Sequence, residues 1–505
     1  MDASPEIEIK EDEMGEGGVP REAKGDGGTA ISTMKKLWAA TTYEPLLLLH
    51  AIVHFGTIAM TESLIAEKSC LVTLGKPEDI CKELYNHPDD EIEVQQVASK
   101  YQGSATLAEN LVAVFLLLYL GPFSDNWKTV NLYIAVPMIF SLLRYGRKPF
   151  LYLSLVMKTL NILILFFASV FIYSPTELTV VAPFLYSLGG AMGSFQMLIF
   201  ACISDVTTEA NRTYRLGILK IFIAFGSPTG RVVSGQMYAA GGYVAVYGLA
   251  LGLLTICLLL LVFTAESVTF SDHEERPKFR VLWLVEVPAE LLTAVHRKEG
   301  PRRGIVYAIL FAHICIFFAM NPLYFLFFKL MFDWDATDYS NWLFYRDMTK
   351  AIALVLLMPV FVGRLRLPDT ALGLLGCSSV AFMQIALGQI VSASMTWVAF
   401  LGPLLGMLEL FAHLASRSIM SKCSDGSREL GKLFAAQAVL DSIATGFAGP
   451  LYAAVYSSSV DSLPMAQFLL AALFMFLAVL GIRVCDIFLL KKEAGARYED
   501  YQGKA

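Results

Sequence analysis

Residues 43–65 read YEPLLLLHAIVHFGTIAMTESLI, an apolar run long enough to cross a bilayer as a helix rising about 1.5 Å per residue. Within it stand His50, His54 and Glu62. A charged group in hydrocarbon costs about 2.5–3.5 kcal/mol even on insertion scales, so it faces a water-filled cavity or a partner in a bundle. His50, His54 and Thr61 share one helix face, beside Glu62. Comparable stretches recur near 104–122, 149–173, 178–202, 215–240, 243–263, 304–328, 342–363, 370–391, 395–417, 433–456 and 464–490. The expected fold is an all-α polytopic membrane protein of twelve transmembrane helices, a pattern that reads as a transporter embedded in the lipid bilayer.

Of 505 residues, 56% are hydrophobic and 17% charged, too apolar for a soluble chain of this length. The net charge of -6 comes largely from residues outside the spans, and no basic stripe with interleaved aromatics occurs, so nucleic acid is set aside as a partner. Without Gly-x-Ser-x-Gly, His-Glu-x-x-His or a P-loop, neither an enzyme nor an ATP-driven pump is expected, and no cofactor. His50 and His54 are spaced as a metal pair but lack an evident third ligand, so no metal site is expected.

The organisation follows from where polarity interrupts the spans. Residues 1–42 have no apolar periodicity and read as a disordered cytosolic tail. A six-helix half over 43–264 contains an external loop at 66–103, and a cytosolic linker at 265–303 leads to a second half at 304–490 and a tail at 491–505. Within the linker, Glu286 to His296 has an amphipathic pattern. Lys and Arg gather in loops of one side, at Arg147 and Lys148, Arg212 and Arg215, Arg302 and Arg303, Arg364 and Arg366, and Lys422 and Arg428, which makes that side and both termini cytosolic. The host membrane is plasma or endolysosomal, and a homo-oligomer is left open. Cys70 and Cys81 both lie in the external loop, whose compartment is oxidising, and are expected to pair as a disulfide.

Charged groups inside the spans mark the candidate site. Glu409, His413 and Arg417 are spaced by four along one face, a strip suited to proton handling or to a structural ion network. Lys220 and Arg231, eleven apart, return to nearly the same azimuth, with Gly226, Pro228 and Gly230 between them; Lys220 alternatively snorkels to the interface. Lys158, Arg346 and Lys350 add cations, with Asp347 and Asp441 nearby, and the sum favours an anionic cargo because arginine forms paired bonds to carboxylate or phosphate. Arg346 alternatively caps the external mouth. Glu109 and Asn110 stand where they face the first span.

Gly121-Pro122-Phe123-Ser124-Asp125 followed by Tyr145-Gly146-Arg147-Lys148-Pro149 resembles the major facilitator superfamily. More narrowly, Glu44-Pro45, Asp205-Val206, Arg212-Thr213-Tyr214-Arg215, Arg417 with Ser421-Lys422, and Glu429 to Ala435 resemble solute carrier family 46, the proton-coupled folate transporter group. The resemblance implies a two-half fold, a state lock built from Asp125, Gly146, Arg147 and Lys148, and a cytosolic gate at Asp205. It also implies import of an organic anion with protons, the family's range including folates, muramyl peptides and cyclic dinucleotides. Three departures stand out. Asn126 to Arg144 is inserted within the lock motif, Lys220 aligns with the family's acidic residue, and Phe318 stands near the place of the family's histidine, His313 lying earlier. The expected roles are anion contact for Arg417, Arg231, Lys220 and Arg346, and proton coupling for His413, Glu409 and Asp205. The alternatives are a facilitative carrier without proton coupling, and a receptor or scaffold that keeps the fold without transporting.

Overall fold

The computed structural model describes residues 43–126, 148–205, 209–264, 283–296, 301–423 and 427–502, and no strand occurs among them. Ten helical stretches are long and apolar enough to cross a membrane. Ile221–Phe263 holds two crossings, because Gly241 and Gly242 leave helical geometry partway along it. Ala336–Met358 is excluded from the ten by its own charges, Arg346, Asp347 and Lys350 falling close together, and with it the count is the expected twelve.

The crossings are α1 (Glu44–Lys68), α2 (Pro88–Asn126), α3 (Lys148–Val170), α4 (Leu178–Ser187, then Ala191–Asp205), α5 and α6 (209–240 and 243–263), α7 (Pro301–Ala319, then Tyr324–Phe332), α8 (Ala336–Met358), α9 (Asp369–Leu387), α10 (Thr396–Leu405, then Glu409–Lys422), α11 (Ser427–Ser459) and α12 (Ala466–Gln502). Interruptions in α4, α7 and α10 require other partners for the freed backbone groups. At the α7 break the Leu323 N–H donates to Gln467 Oε1 at 2.6 Å, and at the α10 break the Leu408 N–H donates to Ser379 Oγ at 3.2 Å. Glu409 therefore opens a new helix segment in mid-crossing.

The stretch expected as a long external loop is largely helical. Its polar residues 88–103 favour helix, with Pro88 opening α2 and Asp89, Asp90 and Glu91 in the first turn, where a proline is pre-set and acids meet the helix dipole. Cys70 and Cys81 are joined by a disulfide with Cα atoms 5.8 Å apart. Lys76 contacts Asp90 and Glu93 at 2.7 Å each, and those hydrogen bonds hold its ammonium pKa above the usual lysine range, so this tether stays charged at physiological pH. A helix over Trp283–His296 covers the amphipathic stretch of the linker and packs on α11 and α2.

Within the halves α1 lies on α5 and α7 on α12, and the halves meet along α2 with α11 and α5 with α8. A Cβ on Gly56 would stand 2.7 Å from the Gly230 carbonyl oxygen, so glycine is what brings the α1 and α5 backbones together. On the disulfide side the halves touch: a Cβ on Gly449 would stand 2.6 Å from Thr106 Cβ, and Tyr456 OH donates to Gln95 Oε1. Toward the other side an apolar cavity of ≈ 410 Å³, lined by Ile221, Phe225, Met348, Ile352 and Leu356, lies between α5 and α8. Gly449→Leu is expected to hold the disulfide side open, lengthening the distance between spin labels at the exposed Lys100 and Ser458 in pulsed EPR. An unchanged distance distribution contradicts the closing role of this contact.

Candidate functional site

Charges that look scattered in the sequence meet where α5, α8 and α10 converge. Arg231 on α5 donates from Nε to Asp347 Oδ2 on α8 at 2.7 Å, and Ser227 Oγ donates to the same oxygen at 2.6 Å. One turn along α8, Lys350 lies 3.5 Å from Asp347 Oδ1 and donates to Glu409 Oε1 on α10 at 2.9 Å. Arg346 Nε is 3.6 Å from Asp347 Oδ1, and its guanidinium lies 5.3 Å and 5.4 Å from the Trp342 and Tyr324 rings. Those rings are fixed in turn: Trp342 Nε1 donates to the Ala399 carbonyl at 2.8 Å, and Tyr324 OH accepts from Gln384 Nε2 at 2.7 Å. Two donors make no hydrogen bond among the described residues: Arg231 Nη1, and Arg346 Nε, whose contact with Asp347 Oδ1 at 3.6 Å is an ion pair only. A buried N–H of a charged group left unpaired is costly, so each of these atoms is a ready contact for an incoming anion.

Beside this cluster a cavity of ≈ 120 Å³ opens between α1, α2, α3 and α4. Glu62, His54, Glu109 and Lys158 are among its lining residues, with Gln102, Thr57, Thr61, Thr106 and Tyr186. Lys158 stands 4.3 Å over the Tyr186 ring and donates to Asn161 Oδ1 at 3.4 Å. Glu62 links the two regions, lying within electrostatic range of Arg231 and Arg346 and beside Tyr339 and Gln102. Its Oε2 is buried without a hydrogen-bond partner among the described residues. Across both regions four cations, Lys158, Arg231, Arg346 and Lys350, stand against four carboxylates, Glu62, Glu109, Asp347 and Glu409.

On α10, His413 lies within electrostatic range of both Glu409 and Arg417, while Glu409 pairs with Lys350, His413 lies 3.2 Å from Met320 Sδ and edge-on to Phe317, and Arg417 is exposed. Arg231 and Arg346 come together around Asp347, whereas Lys220 and Asp205 have side chains outside the described residues. The same holds for Asp125, and Gly146 and Arg147 lie outside the described residues altogether, as does most of the insert. Lys148 is described and donates to the Val262 and Thr264 carbonyls at 3.2 Å and 2.6 Å. Phe318 stacks on Phe474, while His313 reaches Asp441 on α11 and Ser416 on α10. Glu62, Glu109 and Lys158 were visible as charges inside spans, but their shared cavity was not.

The Lys350 and Glu409 pair is buried, so breaking it singly leaves a charge without its partner. Lys350→Met is expected to cost about 3–5 kcal/mol, and Lys350→Met with Glu409→Met to regain most of it. Thermal unfolding of the detergent-purified protein reads both. A single variant as stable as the parent contradicts the pairing.

A sequence model of the Major Facilitator Superfamily matches residues 94–449. A Drosophila melanogaster protein named "Probable peptidoglycan muropeptide transporter SLC46" is 21% identical over 448 residues, covering 83% of this chain and 80% of that one. The proton-coupled folate transporter of Rattus norvegicus is 25% identical over 407 residues, covering 78% and 80%. Among solved structures, that of a D-xylose-proton symporter superposes with a TM-score of 0.60 at 13% identity, covering 88% of this chain and 96% of that one.

Proposed function

This chain belongs to the major facilitator superfamily of membrane transporters, and we propose that it is an alternating-access carrier that brings an organic anion into the cytosol together with a proton. The observation that carries this reading is the pair of unsatisfied guanidinium donors, Arg231 Nη1 and Arg346 Nε, on helices from opposite halves. An anion joining them bridges α5 and α8, so its binding is felt by the relative position of the halves, as exchange between two open states demands. Contact between the halves on the disulfide side supports a state closed on that side.

Charge balance supports the proton. With four cations against four carboxylates, an anion arriving alone leaves a surplus negative charge in a low-dielectric site. One proton arriving with it restores the balance. Glu62 is the preferred carrier, because it faces the two arginines that the anion engages and keeps one oxygen unpartnered. His413, Glu409 and Asp205 stand as further groups on the proton route, Arg417 as an exposed anion contact near the cytosolic end of α10, and Lys220 as a fixed charge on the α5 face. Asp125, Gly146, Arg147 and Lys148 stand as the state lock.

Folate and muramyl dipeptide, cargo types named for the two relatives, are the test anions. Uptake of either label in cells expressing the chain is expected to exceed that of untransfected cells severalfold and to rise at acidic external pH. Uptake with no pH dependence favours the facilitative carrier. Binding without flux favours the receptor reading, and neither binding nor flux removes both anions as cargo.

A further inference from the structure

We propose that the cavity between α1, α2, α3 and α4 is a second cargo subsite, built to accept hydrogen bonds from an uncharged N–H-rich group such as an amide or an aromatic amine, so that the cargo keeps its net negative charge while donating at its other end. The term cargo rests on the carrier reading; the chemistry of the cavity does not. Thr57, Thr61 and Thr106 each spend their hydroxyl proton on a carbonyl of their own helix, those of Val53, Thr57 and Gln102 at 2.9, 2.8 and 3.0 Å. What Thr57 and Thr106 present to the cavity is lone pairs, whereas one of those on Thr61 is taken by the Tyr247 hydroxyl 3.2 Å away. Gln102 is buried, and its Oε1 has no hydrogen-bond partner among the described residues, as is true of Glu62 Oε2 and His54 Nδ1. Glu109 adds a carboxylate that forms no ion pair with Lys158 among the described residues.

Lys158 is the cation of this cavity, and Tyr186 and Asn161 already engage it. Two carboxylates against one ammonium leave the cavity with a surplus of negative charge and of acceptors. The α5, α8 and α10 cluster has the opposite surplus, three cations against Asp347 and Glu409. A molecule that carries a carboxylate at one end and N–H donors at the other satisfies both regions, whereas a plain dianion satisfies one and is repelled by the other. The cavity, ≈ 120 Å³, has room for the N–H-bearing end of a larger cargo.

Thiol labelling tests this without any transport. Thr106→Cys in the full-length protein is reacted with aminoethyl methanethiosulfonate, whose ammonium is an N–H donor of the charge opposite to the cavity's surplus, and separately with the sulfonatoethyl reagent of opposite charge. Rates are read by mass spectrometry of the peptide holding position 106 and normalised to each reagent's rate with 2-mercaptoethanol. The cationic reagent is expected to react about tenfold faster than the anionic one, a ratio that Glu109→Gln brings close to one. Thr57→Cys, also lining the cavity, supplies the same reading if the first variant does not fold. Equal rates, a preference for the sulfonate, or no labelling at either position overturns the subsite. Because no anion uptake is measured, any of these results leaves the roles of Arg231 and Arg346 standing, and failure of anion uptake leaves the labelling result standing.

Discussion

Arg231→Ala is expected to lower uptake of labelled folate or muramyl dipeptide by about a hundredfold, the scale of losing a charge-assisted hydrogen bond to the bound anion. Part of the damage is structural, because Asp347 Oδ2 loses the guanidinium 2.7 Å away and keeps Ser227, with Lys350 and Arg346 farther off. A second variant separates the two effects. Arg231→Met with Asp347→Met removes the closest buried pair together, leaving Lys350 on Glu409 and Arg346 against its two rings, so more folded protein reaches the membrane than with Arg231→Ala while uptake stays lost. Arg231→Lys keeps the charge but loses the planar fork, so its deficit is expected mainly in KM. Full uptake by the double methionine variant reduces Arg231 to a structural residue and removes it from the anion site.

Glu62→Gln has the second large expected effect, and on a different observable. The amide holds the place of the protonated carboxyl without exchanging a proton, so the variant is expected to lose acid stimulation of uptake while still exchanging internal for external label. Since Glu62 lies within range of both Arg231 and Arg346, its neutral form removes one of the negative charges facing them, Asp347 remaining, and anion affinity is maintained or raised. Counterflow of label across membranes at equal pH measures the exchange. A Glu62→Gln protein that keeps its acid stimulation assigns the proton elsewhere, with His413 and the His313 and Asp441 pair next in line.

The twelve crossings were legible because bilayer thickness imposes one length on every span, and the twelfth was legible despite the charges that disqualify it by composition. Individual site residues were legible for the same reason: Glu62, Lys158, Arg231, Arg346 and Glu409 are expensive in hydrocarbon wherever they point. Their partners were not. Helical periodicity fixes azimuth within one helix, but Arg231 meets Asp347 through packing of the two halves, which no spacing encodes. The α10 strip shows the limit from the other side. Spacing by four placed Glu409, His413 and Arg417 on one face, yet Glu409 opens the segment after a break and turns to α8, while Arg417 ends exposed two turns later. The helix over residues 88–103 escaped notice because an apolarity scan is blind to a polar extension stabilised by its first turn.

Proton movement itself is the most direct reading of the account. Purified protein in liposomes loaded with the pH dye pyranine would be given folate, then muramyl dipeptide, from outside with no pH gradient imposed. The lumen is expected to acidify in step with label entering, and Glu62→Gln vesicles to exchange label without acidifying. Label accumulating in wild-type vesicles with the lumenal pH unchanged would contradict proton coupling and leave a carrier driven by the anion's own gradient.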